Sequence, residues 1–519
     1  MDKRKKATVV DASTLERDLQ LDADVVIIGT GAGGGFAAEE LSAAGLSVVM
    51  LEAGGYYQAA QFSQNEGVAF PMLYQQAGAQ RTADQQIGVL QGQAVGGTTV
   101  INWTTSFRTP EPTLAHWAEV HGLRYSGAEA MAPWFDQVEQ RLNIGDWTQF
   151  PPNENNAALA RGCAALGIEY AHMQRNVRGC ANTGLCGLGC PVNAKQSMLV
   201  TTIPAAMTQG ARLIHRVRAQ RLRMDGHRVA GVDAVALDGR SIHPTGRQVQ
   251  VNARHVVLSA GAIRSPGLLL RSGVTDPAGL TGTRTFLHPV NGTVALMPEP
   301  VRGAYGAPQS VYSDAFLWPA DARMGYKLET TPMQPISALA LFDKSYGAQH
   351  ARVAQNFNHL HSQIALMRDG FDPRAAGGTV VLDEDGDEIL DYPISDYLRA
   401  GFDEAMAQMT RIQFAAGARS VMPFALTAPE FESQAQVEQW LQAGGGREQL
   451  FGSAHVMGGC IMGPDASKAV VDEFGNHHHA DGLSVIDGSI FPSSIGANPQ
   501  VSIYGFSLRA ARQLADRLS

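Results

Sequence analysis

The sequence predicts a mixed α/β protein, in which a parallel sheet with helices is joined to a second domain built on an antiparallel sheet. The first observation is an apolar run at residues 24–28, whose β-branched side chains are typical of a buried parallel strand. A glycine-rich turn, a helical pattern over residues 36–44 and a second apolar run at 47–51 follow it. Together these segments predict one βαβ unit.

The second observation is that three further segments with αβ character lie far apart in the chain, at residues 202–217, 255–270 and 483–517. We expect them to complete the same sheet. The sequence therefore predicts one discontinuous domain made from residues 20–130, 195–290 and 447–519. Residues 131–194 form a connection that contains cysteines.

The third observation is a change of pattern over residues 291–446. Alternating apolar runs at 337–342 and 378–382 predict strands, and residues 396–416 are predicted to form a helix. Ser395 is the candidate N-cap of that helix and Gly417 a plausible stop. We expect an antiparallel sheet with helices on one side, which can cover a ligand and shape a substrate cavity.

Length, net charge and hydropathy limit the classes of protein to which this chain can belong. The chain has 519 residues and a formal net charge of −9. The length favours two domains, and the charge argues against a general nucleic-acid-binding surface. No apolar run is long enough to span a membrane, and the basic start MDKRKK lacks the apolar region of a signal peptide. We expect a cytoplasmic protein, with peripheral attachment of the basic start to anionic lipid as the alternative.

The turn after the first strand carries a glycine fingerprint. Gly29 permits a tight turn, Gly31 lets the backbone approach a pyrophosphate, and Gly34 lets the helix pack against the strand. Free N–H groups and the helix dipole stabilise the anionic group. Glu52, at the end of the second strand, can accept hydrogen bonds from ribose hydroxyls. This pattern predicts a Rossmann-like dinucleotide site.

Longer motifs distinguish FAD from NAD by resemblance. They resemble, in order, the motifs of the glucose–methanol–choline (GMC) oxidoreductase family, with bacterial long-chain alcohol oxidase-like and dehydrogenase-like members the most similar. The resemblance spans nearly the whole chain and implies a Rossmann-like FAD-binding domain beside a substrate domain. The matching segments are LEAGG at 51–55, GQAVGGTTVINW at 92–103, SAGAIRSPGLLLRSGV at 259–274, DGSIFP at 487–492, and Asn498-Pro499.

The resemblance also implies which residues contact FAD. Gly96 and Gly97 would let the backbone lie against the flavin, while Thr98 and Asn102 offer polar contacts. The full set of expected cofactor contacts is Gly29, Gly31, Gly34, Glu52, Gly96, Gly97, Thr98, Asn102, Val217, Ala260, Asp487, Gly488, Asn498 and Pro499.

The segment GSAHVMGGCIMG at 452–463 resembles the active-site segment of the family. The resemblance implies that His455 is the catalytic base and that Asn498 occupies the second active-site position. A neutral imidazole can take the hydroxyl proton of an alcohol while a hydride leaves for flavin N5. Asn498 can hydrogen-bond the developing alkoxide but cannot act as a base. We therefore expect FAD-dependent oxidation of an alcohol to an aldehyde or ketone.

The sequence leaves alternatives open for the electron acceptor and for the class of reaction. Oxygen or another acceptor can reoxidise the flavin, and a dehydrogenase would pass electrons to a haem partner subunit or a quinone. The family also includes flavin-dependent lyases and light-driven decarboxylases. Apolar and aromatic residues of the second domain slightly favour aliphatic or aromatic alcohols over sugars or sterols. These residues are Phe316, Leu317, Trp318, Phe342 and Phe357.

Three cysteines form a cluster in the connection. Cys180, Cys186 and Cys190 are separated by glycines and end in Cys-Pro, which resembles an iron–sulfur ligand run. Similarity to FAD-dependent sugar dehydrogenases implies a three-iron cluster that passes electrons to a haem subunit. Similarity to long-chain alcohol oxidases, which extends to residues 195–197 (KQS), implies thiols that are structural or paired as a disulfide. The sequence leaves both interpretations open.

Overall fold

The computed structural model describes residues 8–340, 347–427 and 429–519. Within those residues the helices are α1 (Ala32–Ala43), α2 (Glu66–Leu73), α3 (Glu111–His121), α4 (Ala128–Leu142), α5 (Glu154–Ala165), α6 (Thr202–Thr208), α7 (Arg264–Ser272), α8 (Pro335–Ala340), α9 (Ala348–Gln355), α10 (Asp396–Ala415), α11 (Gln434–Gln442) and α12 (Gln500–Leu518). The strands are β1 (Thr8–Asp11), β2 (Leu19–Ile28), β3 (Val48–Glu52), β4 (Ile87–Val89), β5 (Thr105–Ser106), β6 (Ile144–Asp146), β7 (Ala171–His172), β8 (Gln174–Asn176), β9 (Arg212–His215), β10 (Val217–Asp225), β11 (Arg228–Leu237), β12 (Pro244–Leu258), β13 (Thr285–Leu287), β14 (Val290–Leu296), β15 (Val311–Tyr312), β16 (Tyr326–Glu329), β17 (Leu360–Met367), β18 (Thr379–Leu382), β19 (Glu388–Asp391), β20 (Ser420–Pro423), β21 (Phe451–Ser453), β22 (Val456–Gly458) and β23 (Leu483–Val485).

The larger sheet gathers the separate αβ segments. Its strands lie in the order β1-β9-β3-β2-β12-β11-β10, and β23 pairs with the carboxyl-terminal part of β12. The pairs from β1 to β12 are parallel, whereas β11 and β10 continue the sheet antiparallel. The last four residues of β2 and the first four of β3 are buried apolar side chains, as is typical of strands in a parallel sheet. The prediction of a Rossmann-like α/β domain is confirmed.

The glycine turn after β2 fixes how α1 packs on this sheet. Gly29 has φ +94°, a left-handed conformation that favours glycine. A Cβ atom on Gly34 would lie 2.0 Å from the Gly29 carbonyl oxygen, and one on Gly33 would lie 1.8 Å from the Ile486 carbonyl oxygen. Only hydrogen atoms fit at these contacts, so α1 can begin directly at the end of the strand.

The second sheet is almost entirely antiparallel, with strand order β16-β17-β14-β21-β4 and with β20 beside β14. The exception is the parallel pair β21–β4. β17 is buried over its whole length, and α10 packs against this sheet. β4 and β21 come from outside residues 291–446, so the sheet is built partly from segments assigned by sequence to the first domain. The predicted domain boundaries stay a prediction.

One strand prediction in this region is wrong. Residues 337–340 belong to α8 and not to a strand, while Leu341 and Phe342 lie outside the described residues. Alanine and leucine favour helix, and Pro335 is well suited to a first helical position, so these local preferences outweigh the apparent alternation. The strand predicted at 378–382 is β18, which forms a hairpin with β19.

The helix predicted over residues 396–416 is α10. Its N-cap, Ser395, accepts a hydrogen bond from the Leu398 backbone N–H at 3.3 Å. Gly417 has φ +96° just after the helix ends. Both of the predicted boundary signals are therefore confirmed.

None of the helices in the described part of the chain combines the length and the apolar character needed to cross a membrane. The basic start lies outside the described residues, and the cytoplasmic location stays a prediction.

Candidate active site

A cavity of about 480 Å³ lies where the two sheets meet. The carboxyl ends of β2, β3 and β12 form one side of the cavity, which is where open α/β sheets bind ligands. Residues of β14, β16, β17 and β21 form the other side. The fold therefore gives the cavity one wall from each sheet.

Most of the residues predicted from sequence line this one cavity. Gly34 and Gly96 are not in its wall. Gly34 packs behind the turn at Gly29, and the Gly96 backbone N–H donates to Thr30 Oγ1 at 3.0 Å. The predicted residues in the wall are Gly29, Gly31, Glu52, Gly97, Thr98, Asn102, Val217, Ala260, His455, Asp487, Gly488, Asn498 and Pro499.

Two glycine turns are in direct contact at the cofactor end of the cavity, and we call them the Gly31–Gly97 cradle. A Cβ atom on Gly97 would lie 2.8 Å from Gly31 Cα, and Gly97 has φ +54°. Gly31 caps the N-terminus of α1, where free N–H groups favour an anion. The cradle therefore depends on glycine at both positions, and the free N–H groups beside it suit the pyrophosphate of a dinucleotide.

Glu52 has a structural role as well as a place in the cavity wall. Its Oε2 accepts hydrogen bonds from the Thr30 N–H at 3.1 Å and the Thr30 hydroxyl at 2.7 Å. Its Oε1 accepts from the Gly54 N–H at 2.9 Å. Burial raises the pKa of Glu52, and these hydrogen bonds oppose that rise. The carboxyl group therefore holds the turn next to its predicted ribose contact.

Asp487 ties the C-terminal motif to the motif at 259–274. One carboxylate oxygen accepts from the Gly261 N–H at 2.9 Å and the Ser265 hydroxyl at 2.6 Å. The other accepts from the Ser489 N–H at 2.8 Å. Three segments that are distant in sequence thus meet at one edge of the cavity, since Gly29 lies against Ser259.

Asn102 is held by a side chain that the sequence did not indicate. Its Nδ2 donates to Gln500 Oε1 at 2.7 Å, and Gln500 Nε2 donates to the Thr105 carbonyl at 2.6 Å. Asn102 Oδ1 is buried and has no hydrogen-bond partner among the described residues. Asn102 lines the cavity with its amide fixed by Gln500.

His455 contacts a second histidine. The Nδ1 atoms of His455 and His288 lie 3.0 Å apart, and their rings meet edge to face. Burial lowers the pKa of His455 to about 4, so the imidazole is neutral at pH 7. Sequence reasoning missed His288, which follows β13 and whose contact with His455 depends on the pairing of β13 with β22.

Asn498 contacts a buried carboxyl group. Its Nδ2 donates to Glu329 Oε2 at 3.3 Å, and Gln309 Nε2 donates to the same oxygen at 2.7 Å. Glu329 borders the cavity but is 0% exposed, so its carboxyl group offers no accessible surface to a ligand. Burial raises its pKa to about 7, against the attraction of Lys327. Sequence reasoning missed Glu329, although a Lys and a Glu two residues apart in an apolar stretch were an available signal.

The wall formed by the antiparallel sheet is mainly apolar. None of the residues from which the substrate preference was predicted lies in it: Phe316, Leu317, Trp318 and Phe357 are elsewhere, and Phe342 lies outside the described residues. The apolar side chains of this wall are instead Val290, Ile364, Leu366, Phe424, Leu450 and Phe451.

The cysteine cluster lies around a second, much smaller cavity. Cys180, Cys186 and Cys190 all line it, and each thiol is free. Arg175 Nη2 lies 3.5 Å from Cys186 Sγ, and burial raises the pKa of that thiol. No group of three His, Cys, Asp or Glu side chains in the described ranges is arranged to hold a metal ion. The iron–sulfur interpretation therefore has no support, and the cysteines in these ranges form no disulfide.

Lys195 connects the cysteine segment to the cofactor turn. Its buried Nζ donates to the backbone carbonyls of Val100 at 2.6 Å, Asn102 at 2.8 Å and Cys186 at 2.7 Å. Burial lowers the pKa of Lys195 to about 8. The two segments are thus held together by one ammonium group with all three donors used.

The chain matches the family model described as GMC oxidoreductase in two parts, over residues 70–290 and 373–507. The chain belongs to the GMC oxidoreductase family. It is an FAD-dependent oxidoreductase that acts on CH–OH donors.

Particular relatives support the same assignment. A long-chain-alcohol oxidase of Arabidopsis thaliana is 30% identical, over 95% of this chain and 67% of its own length. Among solved structures, pyridoxine 4-oxidase from Mesorbium loti is 18% identical with a TM-score of 0.63, covering 94% of this chain and 98% of its own. Aspergillus oryzae formate oxidase is 15% identical with a TM-score of 0.68, covering 96% of this chain and 100% of its own. The two solved structures establish the shared fold.

Proposed function

We propose that this protein oxidises an apolar alcohol to an aldehyde or ketone, with the hydroxyl group bound between His455 and Asn498. The observation that carries the proposal is that one cavity joins the Gly31–Gly97 cradle to both of these side chains. A cofactor and a substrate can therefore share a single cavity.

The residues at the cradle fit FAD. The glycine backbone around Gly31 and Gly97 would hold the pyrophosphate, Glu52 the ribose, and Asn102 the region near the flavin ring. FAD, when bound, supplies a hydride acceptor at its flavin N5. The side chains of this chain must then orient the alcohol, exclude water and move the hydroxyl proton.

His455, the residue predicted from the sequence, is the candidate for accepting that proton, and burial keeps it neutral by lowering its pKa to about 4. Glu329 lies next to Asn498, but it is 0% exposed and so is not accessible to a substrate hydroxyl.

The apolar wall supports an aliphatic substrate. Ile364, Leu366 and Phe424 offer a surface that would gain about 25 cal/mol for each Å² of alkyl chain that it covers. The long-chain-alcohol oxidase among the relatives is consistent with this preference.

The direct test is anaerobic. Purified holoprotein is mixed with butanol, octanol or dodecanol, and the loss of flavin absorbance is followed, with glucose as the control substrate. We expect the longer alcohols to bleach the flavin fastest, because they bury more apolar area. Flavin that remains oxidised with every alcohol would exclude alcohol oxidation.

His455→Ala tests the hydroxyl-binding position. Removing one polar contact to the developing alkoxide is expected to slow flavin reduction by about a hundred- to thousandfold, while the flavin stays bound. The reduction rate is measured by stopped flow and the flavin content by its absorbance relative to protein. Wild-type turnover in the variant would remove His455 from the site.

We further propose oxygen as the electron acceptor, on the basis of the oxidase relatives. Hydrogen peroxide formed in air at the rate of alcohol consumption is the expected result. Reduction of a dye or quinone without peroxide would favour a dehydrogenase with a partner subunit. Product formation from a carboxylic acid under light, without flavin bleaching by alcohols, would favour the lyase or decarboxylase alternative.

A further inference from the structure

We propose that Phe424 limits the length of the alkyl chain that the substrate cavity accepts, by closing the end of its apolar wall. This inference rests on the proposed alcohol oxidation and narrows its substrate class. It follows from the register of the antiparallel sheet and from one glycine in the middle of that sheet.

The apolar wall is one face of the antiparallel sheet. Val290 on β14 lies opposite Leu366 on β17. Two residues further along β14, Gly292 lies opposite Ile364. Residues two apart on a strand, and residues directly opposite on the neighbouring strand, share one face of a sheet. Because Val290, Leu366 and Ile364 all line the cavity, this face borders its substrate end.

The ring of Phe424 covers Gly292 on this face. Phe424 directly follows β20, and its N–H donates to the Gly292 carbonyl at 2.8 Å, so the two residues are neighbours across the strands. A Cβ atom on Gly292 would lie 2.5 Å from Phe424 Cε2 and 2.7 Å from its Cδ2. Phe424 is half-buried and lines the cavity. The ring therefore uses the space that a side chain at position 292 would otherwise occupy.

Beyond Phe424 the same face of the sheet is filled. Val294 on β14 lies opposite Met422 on β20, and both are buried. They belong with Leu360 to an apolar cluster to which α8 and α9 each add a buried side chain, and Phe424 packs against this cluster. Protein interiors are packed as densely as organic crystals, so the cluster leaves the ring little room to move away from the cavity. Phe424 is thus a fixed boundary of the apolar wall.

The proposed hydroxyl position lies at the other end of the row that ends at Phe424. Glu329 on β16 lies opposite Ile364. It extends to a fourth strand the row that Ile364 shares with Gly292 and Phe424. Asn498 contacts Glu329 at 3.3 Å, so a hydroxyl group beside Asn498 is at the β16 end. Neighbouring strands are about 4.8 Å apart, and the row therefore spans about 14 Å between its two ends.

This arrangement limits the chain length. In a hydrophobic pocket one methylene group changes kcat/KM by about 10- to 200-fold, so each carbon that covers the apolar wall favours the substrate. A carbon that would overlap the Phe424 ring brings no such gain, because overpacking forces side chains out of their preferred positions. The selectivity between long and short alcohols should therefore depend on the side chain at position 424.

The test compares dodecanol with butanol in anaerobic flavin reduction by the purified holoprotein. The measured quantity is the ratio of the second-order rate constants for the two alcohols. Phe424→Ala should raise this ratio by at least about tenfold, because removal of the ring lengthens the apolar wall. Phe424→Trp should lower it. Gly292→Ala should also lower it, because the added methyl group pushes the ring off the glycine and into the cavity.

Phe357→Ala is the matched control. Phe357 packs against the same apolar cluster as Phe424 but is not in the cavity wall. Its loss should keep the wild-type ratio, so that a general loosening of the cluster is distinguished from a longer apolar wall. Flavin content relative to protein checks that each variant is folded. If Phe424→Ala holds no flavin, Phe424→Leu, which removes less volume, takes its place with a smaller rise expected.

The inference is overturned if the variants at position 424 keep the wild-type ratio, if Gly292→Ala raises it, or if Phe357→Ala raises it as much as Phe424→Ala does. Each of these results would leave alcohol oxidation itself in place. If neither alcohol reduces the wild-type flavin, the proposed function fails and the inference fails with it.

Discussion

At the scale of single residues, the cavity depends on glycines that leave no room for a side chain. Gly97 packs against Gly31, and a Cβ atom added to Gly97 would lie 2.8 Å from Gly31 Cα. The atoms that it would meet belong to the backbone. The obstruction cannot be relieved by rotating a side chain. Substitution should therefore displace the two turns that border the cofactor end of the cavity.

Gly97→Ala is expected to lower the flavin content of the purified protein severely, because the added methyl group collides with the Gly31 backbone and displaces the turns that border the cofactor. Gly45→Ala is the control, since Gly45 also has positive φ, +84°, but nothing lies within 4 Å of its Cβ position. The control should lose about 1 kcal/mol of stability from backbone strain and keep its flavin. Equal flavin contents in the two variants would contradict this account of the cradle.

Asn498→Ala tests the second active-site position. The variant removes a proposed donor to the substrate oxygen and one of the two hydrogen bonds to Glu329 Oε2. We expect slower flavin reduction than in the wild type, measured by stopped flow, with an unchanged flavin content. Wild-type reduction rates in the variant would remove Asn498 from the site.

At the scale of secondary-structure elements, the N-cap of α10 is expected to contribute measurably to stability. Ser395 accepts the Leu398 N–H at 3.3 Å and caps a helix that packs on the antiparallel sheet. Ser395→Ala should lower the free energy of unfolding by about 1 kcal/mol, measured by urea titration, while Ser395→Asp should restore the cap. Indistinguishable midpoints for the wild type and the Ala variant would mean that the cap does not contribute.

Elements whose signals are local could be predicted from the sequence. The βαβ unit and α10 have their periodicity and boundary residues within a short stretch of chain, and both were identified. α8 was not, because a short run of Ser, Ala and Leu carries too little periodicity to exclude a strand. The glycine fingerprint and the segment around His455 were identifiable because their motifs are contiguous.

Other features of the site depend on contacts between distant segments. Glu329 matters because Asn498 and Gln309 lie against it, and His288 because Gly496 and His455 do. No local pattern contains such a pair. The cavity wall at Ile364 and Phe424 was missed for the same reason, since these residues meet only when β17 and β20 flank β14.

At the scale of the whole molecule, buried histidines govern stability in mild acid. In the folded state burial lowers the pKa of His361 to about 3 and those of His455 and His477 to about 4, against an ordinary value of 6.5. The unfolded chain therefore binds protons first as the pH falls below about 6.5, and stability is lost. Glu329 and Asp369 act in the opposite direction, because their raised pKa values of about 7 favour the folded state as pH falls from 7 towards 4.

His361→Gln tests how much one buried histidine contributes to the pH dependence of stability. His361 lies between Asn155 Oδ1 at 2.9 Å and Gln363 Nε2 at 3.1 Å, and it is not in the cavity wall. Between pH 5 and 6 the variant should lose stability less steeply than the wild type, by about 1.4 kcal/mol per pH unit. Urea unfolding at several pH values measures the two slopes. Parallel slopes would mean that His361 is protonated in the folded state.

The interleaving of the two sheets has a consequence for biosynthesis. β21 joins β14 and β4, and β23 joins β12, yet both strands follow residue 450 in the chain. His455, Asp487 and Asn498 emerge from the ribosome with them. The parallel sheet and the antiparallel sheet can each begin to form earlier, but neither is complete until these segments have been synthesised. The cavity lacks His455, Asp487 and Asn498 until then. A nascent chain at that stage presents unpaired strand edges and an open apolar wall, which makes it a substrate for holding chaperones.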